Sequence, residues 1–89
     1  MYYILLALLE ECCGVDIMEK VNALSHRRVQ VGPGTLYAML AKFESNQIVR
    51  LTESKGRKKS YIITNTGKEM LLKEYNRLET MVKDGSPYL

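Results

Sequence analysis

Residues 32–45 read Gly-Pro-Gly-Thr-Leu-Tyr-Ala-Met-Leu-Ala-Lys-Phe-Glu-Ser. Gly32 and Pro33 interrupt whatever precedes them. Proline suits the first position of a helix, because its missing N–H would be unpaired there anyway. Leu36, Met39, Leu40 and Phe43 then recur at i, i+3, i+4, i+7, the spacing of one buried helical face. The opposite face carries Thr35, Ala38, Ala41, Lys42 and Ser45, which are small or polar, and the only acid nearby is Glu44. Such a face can lie close to a negatively charged surface, as the second helix of a helix-turn-helix does in a DNA major groove. An ordinary surface helix carries the same stripe, so the neighbouring segments decide what a helix over 33–46 is for.

Downstream, Ile48-Val49-Arg50-Leu51-Thr52 is β-branched and apolar and reads as a strand, with Ser60-Tyr61-Ile62-Ile63-Thr64 as its partner. Between them lies Glu53-Ser54-Lys55-Gly56-Arg57-Lys58-Lys59, seven residues of which four are basic and one acidic. A basic loop on a hairpin that follows three helices is the wing of a winged helix, an arm of point charges for a phosphate backbone. A solvated turn with solubilising charge is the plainer account. Thr66 opens the last helix, and Glu69 three residues on completes a T-x-x-E capping box. Leu71, Tyr75, Leu78 and Val82 form its apolar stripe, widened by Met70, Leu72 and Met81. Its other face balances four cations, Lys68, Lys73, Arg77 and Lys83, against Glu69, Glu74, Glu79 and Asp84, so it offers DNA no basic surface. The stripe reads as a partner surface. Gly85 to Leu89 ends the helix as a loose tail.

Upstream, Met1 to Glu11 reads as a first helix, with Leu5, Leu8, Leu9 and Cys12 on one face and Tyr2, Ile4, Leu6 and Ala7 apolar as well. A helix that is apolar all round is buried between layers. The second layer comes either from the monomer core or from another subunit. The absence of a capping residue before Met1 points to a short natural leader. Gly14 is expected to end this helix with a positive φ. A second helix over about Val15–Ser25 buries Ile17, Val21 and Leu24, with Asp16 near its positive end. His26, Arg27 and Arg28 close it, as cap charges or as phosphate contacts. Val29-Gln30-Val31 alternates and could add an edge strand to the sheet.

The totals exclude several classes. Eighty-nine residues make one domain. A domain of this size buries only roughly 60–65 % of its unfolded surface, and an apolar helix shared with a second copy would relieve that shortage. The net charge of +3 is mild. Cys12 and Cys13 are adjacent, which disfavours an internal disulfide. There is no CxxC spacing and a single histidine, His26, so no metal site and no cofactor are implied. Reduced cysteines fit a cytoplasmic location, and Tyr3–Leu9 is too short to span a bilayer. No nucleophilic triad or phosphate-cradling glycine loop stands in the sequence, so an enzyme is not expected.

Taken together, the order resembles the PadR family of bacterial winged-helix transcription regulators. The residues carrying the resemblance are Tyr3-Ile4-Leu5-Leu6-Ala7-Leu8-Leu9, Gly32-Pro33-Gly34-Thr35-Leu36-Tyr37, Lys59-Ser60-Tyr61-Ile62-Ile63-Thr64 and Thr66-Gly67-Lys68. It implies a mainly α (α+β) winged helix-turn-helix over 1–65 with a two-stranded wing, a C-terminal dimerisation helix over 66–85, and a flexible tail over 86–89. It further implies a homodimer on a palindromic promoter site in double-stranded DNA, usually repressing. By position, Thr35, Tyr37, Ala38 and Lys42 would face DNA, and Lys55, Arg57, Lys58 and Lys59 would form the wing. Tyr2, Leu6, Leu71, Tyr75, Leu78 and Val82 would join the subunits, and a small-molecule effector pocket would be lined by Tyr2, Tyr3, Leu6, Tyr75 and Leu78. The family often has Gly-Tyr where this chain has Gly14-Val15. Its drug-sensing members stack ligands on a tryptophan of the last helix, and this chain has no tryptophan. The alternative function is a winged-helix protein-interaction module whose wing meets an acidic partner.

Overall fold

The computed structural model describes residues 1–89. Helix α1 spans Tyr2–Ala7, strand β1 Cys12–Cys13, helix α2 Gly14–Leu24 and helix α3 Pro33–Ser45. Strands β2 (Val49–Lys55) and β3 (Lys58–Ile63) follow, then helix α4 (Asn65–Gly85) and a single 3-10 turn, Ser86–Tyr88. The sheet is antiparallel with order β1-β3-β2. One apolar cluster unites Ile4, Leu5 and Leu8, Ile17 and Val21, Leu36, Leu40 and Phe43, Val49, Tyr61 and Ile63, and Leu71 of α4. The winged helix-turn-helix with its long C-terminal helix is the fold expected from the sequence.

Helix α3 starts where Pro33 stands at its first position, with Gly32 as N-cap. It buries Leu36, Leu40 and Phe43. Both α2 and α3 end in the same way, with a non-glycine residue in the left-handed region. His26 has φ 53° and Gln47 φ 61°. After α2 the N–H of His26 donates to the Ala23 carbonyl and that of Arg27 to Asn22. After α3 the N–H of Gln47 donates to Glu44 and that of Ile48 to Phe43. These paired bonds are Schellman caps, and at the end of α3 the buried Ile48–Phe43 pair adds the apolar contact that often accompanies one. Ser25, fully buried, accepts the Val29 N–H at 2.9 Å and holds the α2–α3 connection in place.

Five expectations are corrected. Helix α1 ends at Ala7 rather than Glu11. The chain leaves the helix because the Leu8 carbonyl accepts the Ile63 N–H at 2.9 Å and Cys12–Cys13 then pair with Tyr61 and Ser60. Leu9 consequently faces outward. The third strand is therefore β1, not Val29–Val31. Gly14 opens α2 instead of closing α1, has no positive φ, and is buried. The wing is mostly strand: β2 and β3 run to Lys55↔Lys58 and are joined by Gly56-Arg57 alone. Within this turn only Gly56, the first central residue, has a positive φ, which is where a type II′ turn needs glycine. Register shifts between Leu51 and Glu53, leaving Thr52 as a bulge.

The start of α4 differs from expectation as well. Its cap is Thr64, not Thr66, and Glu69 takes no part. Thr64 Oγ1 accepts the Gly67 N–H at 3.0 Å, and its one O–H proton has the carbonyls of Gln47 and Ile48 within reach at 2.6 and 2.9 Å. The cap thus ties α4 to the end of α3. Gly67 sits so close to that junction that a Cβ would collide with the Ile48 carbonyl and the Ile63 side chain. Backbone cannot step aside there, so Gly67→Ala is expected to cost about 1–3 kcal/mol of stability, read from denaturant unfolding.

The cysteines, as strand neighbours, point to opposite faces. Cys12 is buried, and burial pushes its thiol pKa up, partly offset by Lys20. Cys13 is half-buried and donates to Asp16 Oδ2 at 3.3 Å. No helix is long and apolar enough to cross a membrane.

Candidate nucleic-acid interface

At about 100° per residue, the stripe of α3 directly opposite Leu36, Leu40 and Phe43 is Ala38, Ala41 and Ser45. Tyr37 and Glu44 border it on one side, Thr35 and Lys42 on the other. All seven are exposed, so this surface has no partner within the chain. Ala41 and Ser45 complete the stripe and belong with it; periodicity alone finds them. The Tyr37–Glu44 border faces the sheet. Burial raises the Tyr61 phenol pKa, and Glu44 and Tyr37 add to the rise.

The wing meets that border. Arg57, Lys58 and Lys59 line an open cleft of about 310 Å³ together with Tyr37 and with Cys13, Gly14 and Val15 at the start of α2. None of the three cations has an acidic partner: the four ion pairs of the chain are Lys20–Glu10, Lys55–Glu53, Arg77–Glu74 and Lys83–Glu79. The structure therefore brings Tyr37 and three wing cations together. It does not bring in Lys55, whose Nζ lies 3.3 Å from Glu53, nor Lys42. Lys42 borders a different groove, with Met1, Met39, Phe43, Asn46, Ile48 and Met70. Gly14 and Val15 carry no sequence signal for a place in the cleft, since only the fold sets the start of α2 beside the wing.

Helix α4 packs through its first turns and then stands away from the body. Leu71 is buried, but Tyr75, Leu78, Met81 and Val82 are 48, 36, 57 and 72 % exposed. The polar face is internally neutral, with Arg77 on Glu74 and Lys83 on Glu79. Between α1 and α4, Tyr2, Leu6, Leu9, Lys68, Leu71, Leu72 and Tyr75 line an apolar groove of about 300 Å³. Of the residues expected around an effector, Tyr2, Leu6 and Tyr75 are here, whereas Tyr3 and Leu78 are outside it. Tyr3 instead meets the Tyr2 ring edge-on, with centroids 5.7 Å apart.

Residues 4–73 match the family model described as the transcriptional regulator PadR-like family. The chain belongs to that family. It is a family of transcriptional regulators, not of enzymes. Among solved structures, a PadR family transcription regulator from Clostridium difficile is 25 % identical, with TM-score 0.75, over 98 % of this chain and 96 % of that one. A transcriptional regulator from Clostridium thermocellum shares the fold at TM-score 0.80 and 20 % identity, covering 100 % of this chain and 92 % of that one. So does RosR of H. salinarum, at TM-score 0.71 and 23 % identity, over 99 % and 92 %. An uncharacterized 37.1 kDa protein of transposon TN4556 in Streptomyces fradiae is 37 % identical over 84 residues, 85 % of this chain. The match spans only 24 % of that relative's length. In this PadR-like chain the segment 32–37 that carried the resemblance forms the N-cap and first turn of α3.

Proposed function

We propose that this chain is a DNA-binding repressor that sits on a palindromic promoter site as a homodimer. In this reading residues 1–65 form the DNA-binding unit, with α3 in the major groove and the wing along the backbone. Thr35, Tyr37, Ala38 and Lys42 face the groove, with Ala41 and Ser45 between them. Arg57, Lys58 and Lys59 meet phosphates, and Lys55 contributes less. Residues 66–85 join the two copies through Tyr75, Leu78 and Val82, with Leu71 at their base, and Tyr2 and Leu6 of α1 receive the partner. The α1–α4 groove then lies at the subunit boundary, where an apolar effector has room.

The observation that carries this reading is the set of three wing cations, free of acidic partners, beside the acid-poor outer stripe of α3. Cations that no carboxylate neutralises are those that release counterions when they meet a phosphate backbone. Selecting bound fragments from the source genome, followed by a salt titration on the recovered duplex, tests it. Fragments sharing a two-fold motif are expected. With 6–10 phosphate contacts per dimer, affinity should fall by roughly 10³–10⁵ between about 50 and 200 mM salt. Affinity that stays flat across the titration, or recovery of no fragment while an acidic protein is retained from nuclease-treated lysate, would overturn it.

A further inference from the structure

Two of the chain's glycines are held at close quarters, and they differ in what crowds them. A Cβ at Gly67 meets the Ile48 backbone first, whereas the three atoms nearest a Cβ at Gly14 all belong to the Tyr37 side chain: its hydroxyl, then Cζ at 2.8 Å, then Cε1 at 3.1 Å. The end of the Tyr37 side chain therefore occupies the place where any other residue at position 14 would keep its Cβ. Gly14 is buried under that ring, yet Tyr37 is 41 % exposed, so the ring is a lid over α2 and a wall of the cleft at once. None of the chain's side-chain hydrogen bonds involves Tyr37. Its neutral hydroxyl has a donor to offer, and the charged groups lining the same cleft are Arg57, Lys58 and Lys59.

We infer that Gly14 is a positioning residue for DNA binding. It leaves the space in which the Tyr37 ring lies across the start of α2. That posture holds the hydroxyl in the wing cleft, where it donates to one of the backbone phosphates that the three wing cations meet. The inference rests on the DNA-binding reading above and assigns Tyr37 to the backbone rather than to a base edge. A phosphate contact fixes register without reading sequence. Charge-assisted hydrogen bonds from a neutral donor to a phosphate oxygen are among the stronger ones.

The test uses the full chain and two probes, a short mixed-sequence duplex and the duplex recovered from the genome. Tyr37→Phe keeps the ring over Gly14 and removes only the hydroxyl. It should weaken binding to both duplexes by about the same factor, roughly tenfold or more, with thermal stability unchanged. Gly14→Ala displaces a half-exposed side chain that can swing into solvent, so the fold should survive while affinity drops as in Tyr37→Phe. Combining the two should lose much less than the product of the single losses, because both act on one contact. The idea is overturned if Gly14→Ala binds like the wild type, if the two losses multiply, or if Tyr37→Phe weakens only the recovered duplex. A wild-type chain that binds neither probe overturns the parent reading, and this one with it. Wild-type binding with an indifferent Tyr37→Phe overturns this one alone.

Discussion

Glutamates placed together at Leu78 and Val82 are expected to convert the proposed dimer into well-folded monomers. Affinity for a duplex carrying both half-sites should then fall by roughly 10²–10⁴, the gain that linking two binding units supplies. Neither side chain belongs to the core cluster, and Leu78 and Val82 are 36 and 72 % exposed, so the core of the monomer keeps its packing. What the change removes is the apolar row with which 21-residue α4 would face its copy. That row continues past the body of the molecule, whose long dimension is 53 Å against 27 and 19 Å for the others. A stable interface needs about 1,200–2,000 Å² in total, more than the α1–α4 groove alone offers. Two carboxylates on each helix, opposite two more, bury like charges without partners. Sedimentation of the variant reads the mass directly, and unfolding checks the fold. A variant that remains dimeric would move the interface off α4.

Helix α3 was legible because its signals are local: a proline at the first turn and four apolar residues at helical spacing. The wing was legible as a hairpin but not in its extent. Glu53–Lys55 and Lys58–Lys59 are exposed along most of their length, so no alternation marks them as strand, and only their pairing across the ladder does. Cys12–Cys13 failed for a related reason. Two residues cannot display a period, and their strand exists because β3 has an edge to offer. At the start of α4 the T-x-x-E spacing points to Thr66, while Thr64 reads as the end of a strand. Thr64 takes the cap because the Gln47 and Ile48 carbonyls lie within reach of its hydroxyl, a tertiary fact. After a helix, glycine most often supplies a positive φ, whereas Gly14 supplies space for a side chain 23 positions away. Of the candidate site, the wing cations could be named from composition and order, and Tyr37 only from the family resemblance. That they share one cleft, while Lys55 is drawn to Glu53 and Lys42 to another groove, needed the fold.

That division separates the wing residues into two groups with different expected effects. Replacing Arg57, Lys58 and Lys59 by alanine removes the three cations that line the cleft without acidic partners. Each phosphate contact contributes about 0.9 to the slope of log affinity against log salt, so in a dimer the triple variant should flatten that slope by about 5. Affinity at low salt should fall on the order of 10³, and the further loss on raising salt from about 50 to 200 mM should be no more than about 10². Operator and mixed-sequence duplexes should suffer alike, since point charges on a backbone carry no base readout. The contrasting variant removes Glu53 and Lys55 together. Their exposed pair carries no net charge and lies outside the cleft lining, so the slope should stay as in the wild type. Fluorescence anisotropy over a salt series measures both. If the neutral pair flattens the slope as much as the three cations do, the phosphate path runs over the outer edge of β2 rather than through the cleft beside Tyr37.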